Sequence, residues 1–269
     1  MYMIQLHIIY IGGIAMPRSS SKTLSDFGEP EAKVRAAFSA LIAKYTQISD
    51  LKQIFEIAIR EPSLFPNINN AASYSDYLAR WIRGYNEALI NLPSRRKAEP
   101  KSACSDPAIK TIVRYITKVN AETAELQQSY HNLFMSAENI QGNLLEEYIW
   151  MSIAPFGWLW CAGNVLRAVD FCTPIKDNKT TLLQVKNKSN TENSSSSAIR
   201  TGTDIIKWYR LGTKTRQGVK MPDYKWEELN SIVNSHSTNS MRKCEMSEDS
   251  YQAFLAQVAT KNANLITDK

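Results

Sequence analysis

"LLQVKNKSNTENSSSS", residues 182–197, joins two kinds of sequence. An apolar run typical of a buried strand continues into Gln184 and Lys186, and a tract of amides and hydroxyls follows it. Because side chains alternate across a strand, Gln184 and Lys186 share one face while Val185 points to the other. A polar pair at the end of such a strand, next to a polar tract, predicts an active-site strand.

The sequence on either side predicts the order helix, three strands, helix between residues 137 and 211. Three short apolar runs are rich in aromatic and β-branched residues, which favours strands. They are "FGWLWC" (156–161), "NVLRAVDFC" (164–172) and "TTLLQVK" (180–186). The preceding "SAENIQGNLLEEYIW" and the following residues 195–211 both have apolar residues at helical spacing. The sequence therefore predicts an α/β fold of the α+β type, a mixed sheet flanked by helices.

Three regions are expected along the chain. Residues 29–136 have helical patterns with caps and stop signals, such as Pro62 after "LKQIFEIAIRE". Residues 137–269 form the predicted core with C-terminal helices, one of them capped by Ser247. Residues 1–28 are an apolar leader too short to span a bilayer. The leader is either an over-extended start before Met16 or an extra strand.

The charge distribution favours an acidic partner. The chain carries a net charge of +6, and residues 186–225 alone hold nine Lys or Arg against three Asp or Glu. A local basic stretch is expected where a protein meets a phosphate backbone. The four cysteines form no C-x-x-C pair and only three histidines occur, which argues against structural zinc. Scattered cysteines fit reduced core thiols in the cytoplasm.

Candidate catalytic residues lie on the predicted strands and the helix before them. Asp170 is expected to end one strand, fourteen residues before Gln184 on the next, so that a hairpin brings Asp170, Gln184 and Lys186 together. Asp170 can hold a divalent cation through oxygen, as Mg²⁺ requires. Lys186 can serve the attacking water or a phosphate oxygen. Glu146, with Glu147 left open as an alternative, can add a second carboxylate for the metal.

This ordered series resembles the PD-(D/E)xK nucleases. "GNLLE" at 142–146, "VD" at 169–170 and "QVK" at 184–186 match the family's helix and two strand motifs. Val169 stands where proline is usual, and Gln184 stands where a carboxylate is usual. The string "VKNKSNTENSSSS" is moreover similar to the "VKNxxNxENSSSS" that follows the catalytic strand in SinI-like type II restriction endonucleases.

The resemblance implies a Mg²⁺-dependent endonuclease that cuts both strands of duplex DNA at a short site, GGWCC in the SinI-like group. It also implies a homodimer and a cognate cytosine methyltransferase in the same restriction-modification system, with no membrane partner. The Gln184 replacement keeps an alternative open, a non-catalytic nucleic-acid-binding protein with a nuclease-like fold.

Candidate DNA-binding residues follow the catalytic strand. Amides suit adenine or the sugar-phosphate backbone, Arg200 suits guanine, and cations at helical spacing suit successive phosphates. The full set is Asn187, Asn190, Asn193, Ser194, Arg200, Lys207, Arg210 and Lys214. Trp208 and Tyr209 are expected in the core.

Overall fold

The computed structural model describes residues 20–97, 107–188, 203–237 and 241–266. Their helices are α1 (Glu31–Ile42), α2 (Asp50–Arg60), α3 (Tyr74–Ile90), α4 (Pro107–Thr117), α5 (Ala121–Ile153), α6 (Trp226–Ser235) and α7 (Glu248–Lys261). Their strands are β1 (Ser21–Lys22), β2 (Ile68–Asn69), β3 (Leu159–Trp160), β4 (Phe171–Cys172), β5 (Leu182–Lys188), β6 (Ile205–Arg216) and β7 (Val219–Tyr224).

The helices predicted in the N-terminal region are confirmed at α2, α3 and α4. The Ser73 hydroxyl caps α3 by accepting a hydrogen bond from the Asp76 backbone N–H. Pro62 follows the end of α2, since proline cannot continue a helix. At the other end of the chain, Ser247 caps α7, as the sequence predicted, and the structure adds a reciprocal capping box with Ser250.

The sheet that positions the site is mixed, with the order β3-β4-β5-β6-β7. β5 and β6 run parallel, and the other neighbouring pairs are antiparallel. With helices packed against this sheet, the predicted α+β fold class is confirmed. β5 and β6 pair in a register that sets Gln184 beside Lys207 and Lys186 beside Tyr209. Paired residues in a sheet point to the same face.

The predicted helix over residues 195–211 is wrong where the structure describes it, because Ile205–Arg216 is the strand β6. The apolar spacing was ambiguous, since short apolar runs occur in buried strands as well as in helices. Trp208 is buried, as expected, and its indole N–H donates to the Lys225 carbonyl oxygen at 2.9 Å. Two further elements of this half, β7 and α6, were not predicted.

The predicted strand over residues 164–172 is much shorter, because only Phe171–Cys172 pair as β4. The residues before it turn over the surface of α3. The Trp81 indole N–H donates to the Val165 carbonyl oxygen at 2.9 Å, and the Arg167 N–H donates to the Leu64 carbonyl oxygen at 2.8 Å. Asp170 therefore directly precedes a strand rather than ending one.

α5 joins the two predicted halves of the molecule. It runs without interruption over Ala121–Ile153, so the predicted boundary at residues 136 and 137 falls inside a helix. The helices α1, α2 and α3 share one hydrophobic core with α5 and the sheet. Cys161, Cys172 and Cys244 are buried, as predicted for core thiols, and Cys104 lies outside the described residues.

The start of the described chain forms a short strand. Within the predicted leader of residues 1–28, β1 pairs antiparallel with β2. Residues 1–19 lie outside the described ranges. Among the described helices, none combines the length and apolarity needed to cross a membrane.

Gly163 gives a test of how the turn before Asp170 packs on α3. Its φ is +70°, and an added Cβ would lie 2.7 Å from the Gly84 carbonyl oxygen. Gly163→Ala should therefore lower the free energy of unfolding by more than about 1 kcal/mol, measured by urea denaturation.

Gly84→Ala is the matched control, because a Cβ there meets no atom within 4 Å. In the interior of α3 this change should stabilise by about 0.5–1 kcal/mol. Equal effects of the two substitutions would contradict the close approach.

Candidate active site

Asp170 is held at the edge of β5 by backbone groups. Its N–H donates to the Leu183 carbonyl oxygen at 2.9 Å, and its carboxylate Oδ2 accepts from the Val185 N–H at 2.6 Å. Phe171 pairs with Leu183, so Asp170, the residue before β4, meets the backbone of β5 on both sides of Gln184. The hairpin predicted from sequence thus exists and brings Asp170 beside the Gln-Val-Lys tripeptide.

Gln184 supplies an unsatisfied acceptor at this point. Its side chain is 2% exposed, and its Oε1 has no hydrogen-bond partner. Among the described residues only three buried side-chain polar atoms lack a partner, and the Trp160 indole nitrogen is another of them. A buried acceptor without a donor is costly, and an ion is one of the ways such a group is satisfied.

Glu146 of α5 faces Asp170 and Lys186. Burial, and then the negative charge of Asp170, raise the pKa of Glu146 to about 8. The Trp160 indole N–H, Lys186 and Arg96 oppose that rise, although the indole makes no hydrogen bond of ordinary geometry. Burial also raises the pKa of Asp170 to about 6, against the hydrogen bond from Val185 and the charge of Lys186.

Glu147 has different hydrogen-bond partners from its neighbour Glu146. It is 2% exposed, and its carboxylate accepts from the Ser94 N–H at 2.7 Å and the Ser94 hydroxyl at 2.5 Å. Both oxygens are therefore used to fasten the turn after α3 to α5. Of the two glutamates left open by the sequence, Glu146 is the one at the cluster with Asp170.

The cluster offers a metal two carboxylates and one neutral oxygen. No group of three His, Cys, Asp or Glu side chains suited to a metal occurs in the described part of the chain. Glu146, Asp170 and the Gln184 Oε1 nevertheless make an all-oxygen donor set of the kind that Mg²⁺ accepts. The residues present fit a divalent cation that keeps some of its water.

Asn187 and Arg210 belong to a partly buried hydrogen-bond network inside the protein. The Asn187 Nδ2 donates to the Gln141 Oε1 at 2.7 Å, and its Oδ1 accepts from the Arg210 Nε at 2.9 Å. Arg210 is 4% exposed and donates to both carboxylate oxygens of Glu248 at 2.6 and 2.7 Å. Trp226 donates to the same carboxylate at 3.0 Å.

The helical spacing predicted for Lys207, Arg210 and Lys214 is wrong, because all three residues lie on the strand β6. Lys207 lies on the face of Gln184 and Lys186, whereas Arg210 and Lys214 lie on the opposite face. Arg210 is enclosed in the network with Glu248. Lys214 is exposed and lies 3.4 Å from the Asp223 carboxylate.

The polar tract after β5 is outside the described residues, which end at Lys188 and resume at Thr203. The predicted DNA contacts Asn190, Asn193, Ser194 and Arg200 fall there and stay predictions. Trp160 was missed, since nothing in "FGWLWC" distinguishes a site tryptophan from a core tryptophan.

The site combines a glutamate on a helix, an aspartate before one strand and a Gln-x-Lys tripeptide on the next strand. Together with the mixed sheet between helices, this combination defines a nuclease core of the restriction-endonuclease type. A profile of the SinI restriction endonuclease family matches residues 84–258. The chain is 32% identical over 222 residues to the type II restriction enzyme Eco47I of Escherichia coli, covering 79% of this chain and 89% of that enzyme.

It is also 33% identical over 227 residues to the type II restriction enzyme SinI of Salmonella infantis, with the same coverage of 79% and 89%. The chain therefore belongs to the SinI restriction endonuclease family and is a type II site-specific deoxyribonuclease. Enzymes of this class cleave double-stranded DNA within restriction-modification systems and generally need a divalent metal ion. The alternative of a non-catalytic binding protein is set aside by this membership.

The role of Arg210 can be tested through stability. Arg210→Met leaves the partly buried Glu248 carboxylate without its cation, which should lower the free energy of unfolding by about 3 kcal/mol, the low end for a buried ion pair. Adding Glu248→Met to the same chain should recover part of that loss. Lys214→Met on the same strand face is the control, and its loss should stay within about 0.5 kcal/mol because the Lys214–Asp223 pair is exposed.

Equal losses for Arg210→Met and Lys214→Met in urea unfolding would contradict the burial of the arginine network. If Arg210→Met instead lowered the affinity for all DNA sequences strongly and equally at unchanged stability, Arg210 would be a DNA-binding residue.

Proposed function

We propose that this enzyme hydrolyses phosphodiester bonds in both strands of GGWCC sites in the cytoplasm, using Mg²⁺ held by Glu146, Asp170 and the Gln184 Oε1. The observation that carries the proposal is that two carboxylates with raised pKa face Lys186, on the strand that also carries the buried, unsatisfied Gln184 Oε1. The GGWCC specificity rests on the likeness of the "VKNKSNTENSSSS" string to SinI-like enzymes. A homodimer and a protective cytosine methyltransferase belong to the same proposal.

Each residue of the cluster has a separate task in this mechanism. The cation, when bound, supplies Lewis acidity that makes water a better nucleophile and offsets charge on the phosphate. The hydrogen bond from the Val185 N–H holds the Asp170 carboxylate in one orientation. The positive charge of Lys186 either orients the attacking water or stabilises the negative charge that develops on the phosphate. Glu146 supplies the negative charge that Gln184 lacks.

DNA contacts are proposed at two places on β6 and along the segment that follows β5. Lys207 shares that face through its register with Gln184. Lys214 lies on the exposed far half of the β6–β7 hairpin, where a phosphate can reach it. The polar groups of Asn187 and Arg210 are engaged inside the protein, so these two residues position β5 instead of reading DNA. Asn190, Asn193, Ser194 and Arg200 follow β5 directly and are proposed to read the site.

The raised pKa values predict that cation binding depends on pH. A carboxyl with a folded pKa of about 8 is mostly protonated at pH 7, so a cation at Glu146 must displace a proton. Cation affinity should therefore rise as pH rises from 6 to 8, by up to about tenfold per unit, and level off above 8. Calorimetric Mn²⁺ titrations in buffers of different ionisation enthalpy measure the proton released.

Glu146→Gln is the control for this titration, because the amide carries no proton to displace. Its weaker cation binding should change little between pH 6 and 8. An affinity of the wild-type protein that is flat over the same range would contradict the assignment of Glu146.

Plasmid cleavage tests the proposed function itself. The wild-type enzyme with Mg²⁺ should give discrete fragments whose ends map to GGWCC. Lys186→Met should slow single-turnover cleavage by about 10²- to 10⁴-fold with site binding retained, because its charge acts on the chemical step. Lys188→Met is the matched control, two residues further on the same strand face, and should cleave within a few-fold of wild type.

Fragments that map to another sequence would overturn the specificity and leave the nuclease assignment standing. Near-normal cleavage by Lys186→Met would remove this residue from the mechanism.

A further inference from the structure

α4 and the first half of α5 form a helical hairpin, residues 107–138, whose apolar side chains are largely uncovered. No residue of α4 is buried. Of the fourteen exposed large hydrophobic residues in the described chain, eight lie on this hairpin. They are Ile109, Ile112, Tyr115, Ile116, Leu126, Tyr130, Phe134 and Met135.

The exposed side chains follow the helical repeat. Ile109, Ile112 and Ile116 form one stripe on α4, and Leu126, Tyr130 and Phe134 form another on α5. An amphipathic helix gains its stability mainly by covering such a stripe. At exposures of 46% to 76%, eight side chains of this size present on the order of 800–1,000 Å². That is about what one partner buries in a stable protein interface.

The charges of the hairpin are divided between its two helices. α4 and the turn after it carry Lys110, Arg114 and Lys118 without an acidic residue. Residues 121–138 of α5 carry Glu122, Glu125 and Glu138 without a lysine or arginine. Lys110 and Glu125 already pair within one chain at 3.6 Å. A surface with one basic and one acidic helix is complementary to itself when a two-fold axis sets α4 of one copy on α5 of the other.

We propose that the α4–α5 hairpin is the surface through which two copies of this enzyme pair. The inference rests on the proposed function, because cutting both strands needs two clusters and the residues described here supply one per chain. The acidic half of α5 disfavours DNA as the occupant of this surface. Charge complementarity and the size of the apolar area favour a second copy.

α5 connects this surface directly to the active site. Tyr130 on the exposed stripe and Glu146 at the cluster lie on the same unbroken helix. At about 1.5 Å per residue, the path from residue 130 to residue 146 is roughly 24 Å. A dimer built on the hairpin therefore fixes the distance between its two clusters through two rigid helices.

The test compares the association of hairpin variants with that of the wild type by sedimentation velocity across protein concentration, with and without a GGWCC duplex. The wild type should be a dimer. The double variant Ile116→Glu/Phe134→Glu should dissociate with a dimerisation constant weakened at least about 100-fold, because each copy would bury two new charges. Both side chains are at least 70% exposed, so each chain should still fold.

Two further variants sharpen the comparison. Ile90→Glu changes a side chain of 51% exposure outside the hairpin and should leave the dimer intact. Reversing the charges of α4 alone, with Lys110→Glu and Arg114→Glu, should weaken association. Adding Glu122→Lys and Glu125→Lys should restore it.

Cleavage distinguishes failure of this proposal from failure of the proposed function. The dissociated variant should nick supercoiled plasmid and accumulate open circles where the wild type makes linear DNA. If the wild type is a monomer on DNA, or if the hairpin variants are as dimeric as the wild type, the hairpin is not the dimer surface. If the wild type leaves all plasmids uncut, the proposed function is wrong instead. Loss of DNA binding by a variant that remains dimeric would assign the hairpin to DNA.

The chain's own apolar leader is the remaining occupant to test. A variant without residues 1–15 should dimerise as the full chain does. A change in its association that disappears with Phe134→Glu would show that the leader covers the hairpin, against the proposal.

Discussion

The hydrogen bond from the Val185 N–H to the Asp170 carboxylate, 2.6 Å long, is the constraint on which the site depends. It ties an acidic side chain from outside β5 to the backbone between Gln184 and Lys186. Since a side chain that accepts from a strand backbone cannot move independently of that strand, one pairing fixes the relative positions of Asp170, Gln184 and Lys186. The same strand carries a buried acceptor, the Gln184 Oε1, that has no hydrogen-bond donor. Such an arrangement costs stability in the absence of a cation and favours cation binding for the same reason.

α5 provides the second constraint, because successive residues of this helix have different tasks. Glu147 uses both oxygens on Ser94 and thereby fastens the helix to the N-terminal region. Glu146 is left to face Asp170, with a pKa raised by burial and by the neighbouring acid. The same helix continues toward the N terminus into the exposed hairpin. Orientation of the helix by Glu147 therefore aligns the acid at the site and the surface proposed for pairing.

Much of the site could be predicted from sequence because it depends on local rules. The alternation of side chains in β5 and the hairpin before it place Asp170 beside Gln184 whatever the rest of the fold does. The strand β6 (Ile205–Arg216) was missed because its apolar spacing also suits a helix, and only its parallel pairing with β5 decides between the two. The role of Arg210 could not be predicted from the sequence, because its ion pair with Glu248 is a tertiary contact between distant parts of the chain. The GxxxE spacing favoured Glu146 over Glu147, and the hydrogen bonds from Ser94 to Glu147 show that the two glutamates have different partners.

The anomalous scattering of Mn²⁺ in crystals of this enzyme with DNA would locate the bound cation directly. We expect a peak within about 2.5 Å of carboxylate oxygens of Glu146 and Asp170 and of the Gln184 Oε1, as oxygen ligation requires. The peak should be lost in Asp170→Ala crystals and retained in Lys186→Met crystals, because the lysine is no ligand. A Mn²⁺ peak elsewhere in crystals that cleave their DNA, or one that Asp170→Ala leaves in place, would contradict cation binding by Glu146, Asp170 and Gln184.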